Sequence, residues 1–215
     1  MKQLLAQIIA VFTFFGAVMS GETSALAQPA PVADSSTEGA GAKSRPVLNL
    51  RDRVACSSLV QCKQSTVKAL ETIAALGYRW VDLSCLDWAP HVSVPKLVED
   101  FDREAARVEA ILRTNQLRVA NLTFDSMEVR PFDRYEQEFR AVVKLAVRLK
   151  ARLINLMAPS PKADRPEMIA RLRKLQTIAR EAGVILTLET HCFQITEKPA
   201  DALWICQQVP GLGLT

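Results

Sequence analysis

The residues best suited to chemistry are Glu189 and His191, in the run Leu188-Glu-Thr-His191. They lie two apart, so on an extended strand both side chains leave the same face. A carboxylate in an apolar interior cannot stay charged without a partner. A divalent cation is the natural partner for Glu189, with His191 beside it or against a substrate. The same spacing also suits a Glu and a His on a solvated loop, and spacing alone does not separate the two readings.

Other candidates are less specific. Asp82 sits inside the apolar run Tyr78-Arg-Trp-Val-Asp-Leu83, where it either serves a site or merely caps and pairs. His91 falls in the following loop, facing a site or simply solvated. Asn121 and Asn155 lie within apolar runs and need hydrogen-bond partners there. Trp80 and Trp88 can stack on a sugar or fill core and rim. Asn121-Leu-Thr123 is formally a glycosylation sequon, read as chance inside a strand. Cys56 and Cys62 flank a loop and are the pair best placed for a disulfide, the alternative being small buried thiols.

Short apolar runs that alternate with amphipathic ones position these residues. Arg53–Ser58 reads as a first strand. Ser65 can cap a helix that Gly77 ends, and residues 78–83 follow as a second strand. One helix is expected from about Pro95 to Asn115, then a third strand over 117–124. Asp133 is expected to cap the next helix, before a fourth strand over 153–157. Asp164 can cap a helix ending at Gly183, with a fifth strand over 184–189. A short helix over 199–208 and a sixth strand from Leu212 complete the series. Such alternation predicts parallel strands with right-handed crossovers. The fold class expected is α/β, an incomplete (β/α)8 barrel of about five βα units plus the start of a sixth strand. Its active-site end is where strands finish and βα loops begin. No glycine-rich phosphate loop follows any strand, which argues against a nucleotide site in an open doubly wound sheet.

Residues 1–27 carry the marks of a signal peptide: Lys2, an apolar run from Leu4 to Val18, and Ala25-Leu-Ala27 as a cleavage site. An uncleaved membrane anchor is the minority alternative, because the run is short against a span of ~20 residues. Residues 28–50 form a Pro-, Ala-, Ser- and Gly-rich linker that cannot bury a core, and residues 51–215 form the partial barrel. The protein is therefore expected outside the cytoplasm, periplasmic or secreted, and off the membrane after cleavage. The net charge of +4 is spread along solvated helix faces, with no basic stripe for nucleic acid. Assembly into oligomers is compatible with all of this.

The stretch from Gly183 to Thr215 resembles the fifth and sixth βα units of the xylose isomerase-like sugar isomerase and epimerase barrels, a superfamily that also contains endonuclease IV. The resemblance rests on a Gly-Val-x-Leu-x-Leu-Glu-x-His strand and a closing Gly-Leu-Thr. The segment Ser65–Leu83 is similar to the family's opening helix and second strand. It implies a divalent metal (Mn, Mg, Co or Zn) held by four side chains. These are a Glu on strand five, an Asp after strand six, and a His and a Glu on the last two strands. Glu189 matches the first and acts as ligand and catalytic carboxylate. The other three fall beyond Thr215. His191 matches a substrate-facing position, and Asp82 stands where the family has a Glu. The resemblance implies a metal-dependent sugar, sugar-phosphate or polyol isomerase or epimerase acting by proton shift, with residues 1–215 alone inactive. A non-catalytic carbohydrate-binding barrel is the alternative. A nuclease of the endonuclease IV type ranks lower, because its site is His-rich and this chain has two His.

Overall fold

The computed structural model describes residues 54–215. The signal peptide and linker expected over residues 1–50 lie outside the described residues. Strands and helices alternate from the start. β1 (Ala55–Ser57) leads through a short 3-10 helix (Ser58–Gln61) and α1 (Thr66–Ala75) to β2 (Trp80–Leu86). β2 turns back into the two-residue β3 (Ala89–Pro90), and α2 (Val94–Glu99) and α3 (Phe101–Thr114) lead to β4 (Arg118–Phe124). Then come α4 (Phe132–Leu149), β5 (Leu153–Leu156), α5 (Arg165–Glu181), β6 (Ile185–Leu188), α6 (Pro199–Gln208) and β7 (Gly213–Leu214). No helix among the described residues is long and apolar enough to cross a membrane.

The sheet order is β1-β2-β4-β5-β6-β7, parallel throughout, with β3 antiparallel on β2. Each parallel strand lies beside its predecessor, and each crossover carries at least one helix. A doubly wound sheet reverses its order at a switch point. This one never reverses, which is barrel winding. Among the described residues β1 and β7 do not pair, so the sheet is open.

Side chains on each strand alternate between two environments. On one face Val81, Leu83, Leu122, Phe124, Ile154, Leu156, Leu186 and Leu188 are buried in the hydrophobic core. Phe124 packs there against Tyr135 and Phe139 of α4, with ring centroids 5.0 and 6.2 Å away. The other face carries Asp82, Asn121, Thr123, Asn155 and Thr187. Burial of that many polar groups is tolerable only if they bond to one another.

Several local signals act as the sequence predicts. Ser65 Oγ accepts the Lys68 N–H at 3.3 Å, and Asp164 Oδ1 accepts that of Glu167 at 2.9 Å. Gly77 and Gly183 take φ of +85° and +72° just past their helices, the left-handed conformation that favours glycine. Three expectations need correction. The single helix over 95–115 is two helices, broken at Asp100, which adopts φ −146° and ψ 87°. Its carboxylate caps α3 by accepting the Arg103 N–H at 3.1 Å. Asp133 is not a cap: α4 starts one residue earlier, after Pro131, and leaves Asp133 in its first turn. There its charge meets the positive end of the helix dipole. Finally, Cys56 and Cys62 are not bridged, and all five cysteines are free. Cys56 is fixed on β1 while Cys62 closes the 3-10 turn, its N–H bonded to the Leu59 carbonyl. Burial and the nearby Asp82 charge push the Cys56 thiol up, so it stays protonated.

The two aspartates should behave differently. Asp100→Ala removes a side-chain cap and should cost about 1 kcal/mol. Asp133→Ala loses only a dipole interaction and should cost about 0.3–1 kcal/mol. Urea unfolding of both variants measures this, and a larger loss for Asp133 would contradict the corrected boundary.

Candidate active site

The polar face carries two hydrogen-bonded groups. In the first, Asp82 Oδ1 on β2 accepts from Asn121 Nδ2 at 2.9 Å and Thr123 Oγ1 at 2.7 Å, both on β4. A register irregularity makes this pairing. β2 and β4 begin with Trp80 opposite Arg118 and Val81 opposite Val119, then slip so that Asp82 meets Asn121 and not Ala120. A one-residue slip changes which face a side chain occupies, so the irregularity puts Asn121 beside the carboxylate. Asn121 Oδ1 is buried and has no protein partner among the described residues.

In the second group Asn155 Oδ1 on β5 accepts from Thr187 Oγ1 on β6 at 3.0 Å and from Thr215 Oγ1 at 2.6 Å. Thr215 follows β7, so the group ties three strands together. Glu189 stands directly past β6. Its N–H bonds to the Leu156 carbonyl at 2.9 Å, and its own carbonyl accepts from Thr196 Oγ1 at 2.7 Å. Thr196 Oγ1 also accepts the His191 N–H at 3.3 Å. His191 Nδ1 lies 2.6 Å from the Cys192 carbonyl, which is an acceptor only. A neutral His191 must therefore carry its proton on Nδ1, leaving the Nε2 lone pair bare.

Burial raises Asp82 above the usual carboxylate range, against hydrogen bonds from Thr123, Ser57 and Asn121. Burial also raises Glu189, the Asp82 charge adds to that, and His191 opposes it. Carboxyls raised toward neutrality are suited to giving and taking protons.

The expected site residues therefore divide. Asp82 and Asn121 bond to each other on β2 and β4, and Glu189 and His191 lie just past β6. His91 joins neither pair. Its side chain is buried under the β1–α1 loop beside the Gln61 and Gln64 backbones, with neither ring nitrogen bonded. Its carbonyl is the useful group, accepting from Thr66 Oγ1 at 2.9 Å and Arg107 at 3.2 Å. Burial lowers its pKa. Trp80 lies at the opposite end of β2, under the Arg118 guanidinium.

One buried ion cluster gave no sequence signal. Arg130, only 6% exposed, bonds Asp125 at 2.7 Å, Asp87 at 2.7 Å, and Glu138. Asp125 Oδ2 also accepts the Asp87 N–H at 3.1 Å, and Tyr135 donates to the Asp125 carbonyl at 2.7 Å. The cluster locks the β2–β3 turn to the end of β4 and to α4. Its members come from three separate segments, and no spacing rule connects them.

A divalent metal would find one carboxylate of the expected kind here, Glu189. Among the described residues no group of three or more His, Cys, Asp and Glu side chains is placed to hold a metal ion. The residues present do not by themselves make a coordination sphere.

Two measurements test these assignments. A carboxyl whose folded pKa is raised binds its proton more tightly in the native state. Its contribution to stability is full below the unfolded carboxylate pKa and is lost as pH rises through the raised value. In chelator-treated buffer, Glu189→Gln should raise the melting temperature at pH 7 by more than at pH 4. An equal change at both would refute the shift. Arg130→Met leaves the buried Asp125 without its cation and Glu138 with only Arg134, and should cost about 3–5 kcal/mol in urea unfolding; a loss below ~1 kcal/mol would mean the cluster is not structural.

Comparison with known proteins places this architecture. A family profile described as the xylose isomerase-like TIM barrel matches residues 70–215. A xylose isomerase-like TIM barrel protein from Mycobacterium smegmatis, solved with magnesium, superposes with a TM-score of 0.62 at 18% identity, over 75% of this chain and 63% of that one. The probable 3-DHS dehydratase of petrobactin synthesis from Bacillus anthracis gives 0.59 at 16%, over 75% and 61%. A D-allulose 3-epimerase from Methylomonas sp. gives 0.55 at 17%, over 74% and 60%. The chain thus spans about three-fifths of the length of these structures. A search of curated proteins finds no match. With its helix-separated parallel strands wound in one direction, the chain belongs to the xylose isomerase-like TIM barrel family.

Proposed function

We propose that the chain is the N-terminal part of a divalent-metal-dependent sugar isomerase or epimerase that works by proton shift. The observation that carries this reading is the half-buried Glu189 at the end of β6, its carboxyl raised by burial and by the Asp82 charge. The family includes sugar epimerases, and a neighbour is solved with magnesium, which supports the class of chemistry. When bound, the metal would polarise a carbonyl and hydroxyl pair on the sugar. Glu189 would be one ligand, and the described residues hold no group that completes the sphere. His191 contacts the substrate through its bare Nε2. Asp82 and Asn121 orient hydroxyl groups, the unpartnered Asn121 Oδ1 being an acceptor ready for one. An ionised carboxylate of the mouth takes the proton from one carbon and returns it to the next. The substrate is a small carbohydrate and the place of action is periplasmic or extracellular.

Proton shift leaves a label. In D2O with Mn2+, a form continued past Thr215 along its own reading frame should move deuterium into a ketohexose or aldopentose at carbon beside the carbonyl. Glu189→Gln should lower that rate by at least about a hundredfold. Residues 1–215 alone should bind Mn2+ weakly and exchange nothing. Exchange by residues 1–215 alone, or full exchange by the longer Glu189→Gln form, would overturn the proposal.

A further inference from the structure

The opposite end of the sheet, where the strands start, holds a groove of about 660 Å3. It lies between the first residues of β2 and β4 and the last turns of α3 and α4. Its volume is that of a small-molecule site, about 300–1,000 Å3. Leu112, Leu117, Val119 and Leu149 give it an apolar wall. Arg113, Arg118, Arg148 and Lys150 also line it, four cations against the single carboxylate of Glu109.

These charges are not matched. Arg148 is occupied, bonded to Glu109 at 2.9 Å and to Asp102 at 2.8 Å, and Glu109 is thereby taken up. Arg113, Arg118 and Lys150 have no ion pair among the described residues. The negative ends of the α3 and α4 dipoles favour Arg113 and Lys150, which stand at those helix ends. Arg118 opens a strand and has no such reason. Its guanidinium lies over Trp80, 5.6 Å from the ring centroid, which holds a cation at the edge of the groove.

Lys150 is kept there against a backbone preference. α1 and α5 pass to their strands through Gly77 and Gly183, both at positive φ. α4 makes the same left-handed turn, with φ +57° and ψ 27°, through a lysine. A side chain is strained in that conformation and glycine is not. Packing gives no return for the strain, because Lys150 is exposed. A cation retained where glycine is preferred points to a use for its charge.

We infer that this groove binds a small soluble dianion with an aromatic body, an aromatic phosphate monoester by class. Three unmatched cations call for more charge than one carboxylate carries. The apolar wall and the Trp80–Arg118 stack give the body a surface. The groove lies at the far end of the strands from Glu189, so the inference does not rest on the proposed chemistry.

Phenyl phosphate, inorganic phosphate and benzoate are each titrated against the full chain by calorimetry at low ionic strength. Phenyl phosphate should bind about tenfold more tightly than either of the others. The comparison with inorganic phosphate reads the apolar wall, and that with benzoate reads the charge. Lys150→Gly should weaken binding several-fold yet melt no lower than the parent, which separates lost charge from lost fold. Arg118→Gln combined with Lys150→Gly should weaken it by at least about tenfold. Glu189→Gln should bind as the parent does. Absence of phenyl phosphate binding, equal affinity for phenyl phosphate and either comparison probe, or full affinity in the double variant would overturn the inference. So would sedimentation with phosphatidylglycerol vesicles that the double variant loses, because the anion would then be a membrane surface.

Discussion

A strand in the middle of this sheet must satisfy two unlike environments at once. One face meets helices and must be apolar; the other faces the space the strands enclose. Here that second face carries Asp82, Asn121, Thr123, Asn155 and Thr187, none of which can be left unbonded without a cost of about 1–3 kcal/mol each. The slip between β2 and β4 resolves this for Asp82 by bringing Asn121 and Thr123 onto its oxygen. Asn155 does the same for Thr187 and Thr215. The candidate site is what this constraint leaves over, the polar groups at the strand ends that bonding within the sheet does not use up.

Electrostatics divides the carboxylates into two kinds. Asp125 and Glu138 are buried and ion-paired with Arg130, and their work is structural, although burial still raises Asp125. Asp82 and Glu189 have no such cation. Burial raises both, relieved only by hydrogen bonding at Asp82 and by His191 at Glu189. The two kinds are linked, because the Arg130 cluster fixes the turn that extends the strand bearing Asp82. Rigidity on one side of the mouth and unmatched charge at its floor therefore have a common origin in how β2 and β4 end.

Much of the fold can be read in the chain because its signals are local. Ser65, Asp164, Gly77 and Gly183 act within a few residues of themselves, and each does what its type favours. The failures come where a choice between neighbours depends on packing. Asp100 and Asp133 are both plausible caps, and only the turn between α2 and α3 decides that the first serves and the second does not. The β2–β3 turn was unreadable because Asp87-Trp88 has no glycine or asparagine to mark it, and the ion pair with Arg130 stabilises it instead.

The sequence by itself determined the parallel alternating architecture, because periodicity is a property of adjacent residues, whereas Glu189 and His191 prove to lie in the loop just past β6. It also carried the family resemblance that the matched profile supports. Only the tertiary structure decided which distant groups meet. It brought Asp82 to Asn121, moved His91 into packing and Trp80 to the far end, and left Cys56 and Cys62 apart. It also assembled Arg130 with carboxylates from three segments. Those outcomes depend on register, burial and charge between residues tens of positions apart, where one slipped pairing changes the face a side chain occupies.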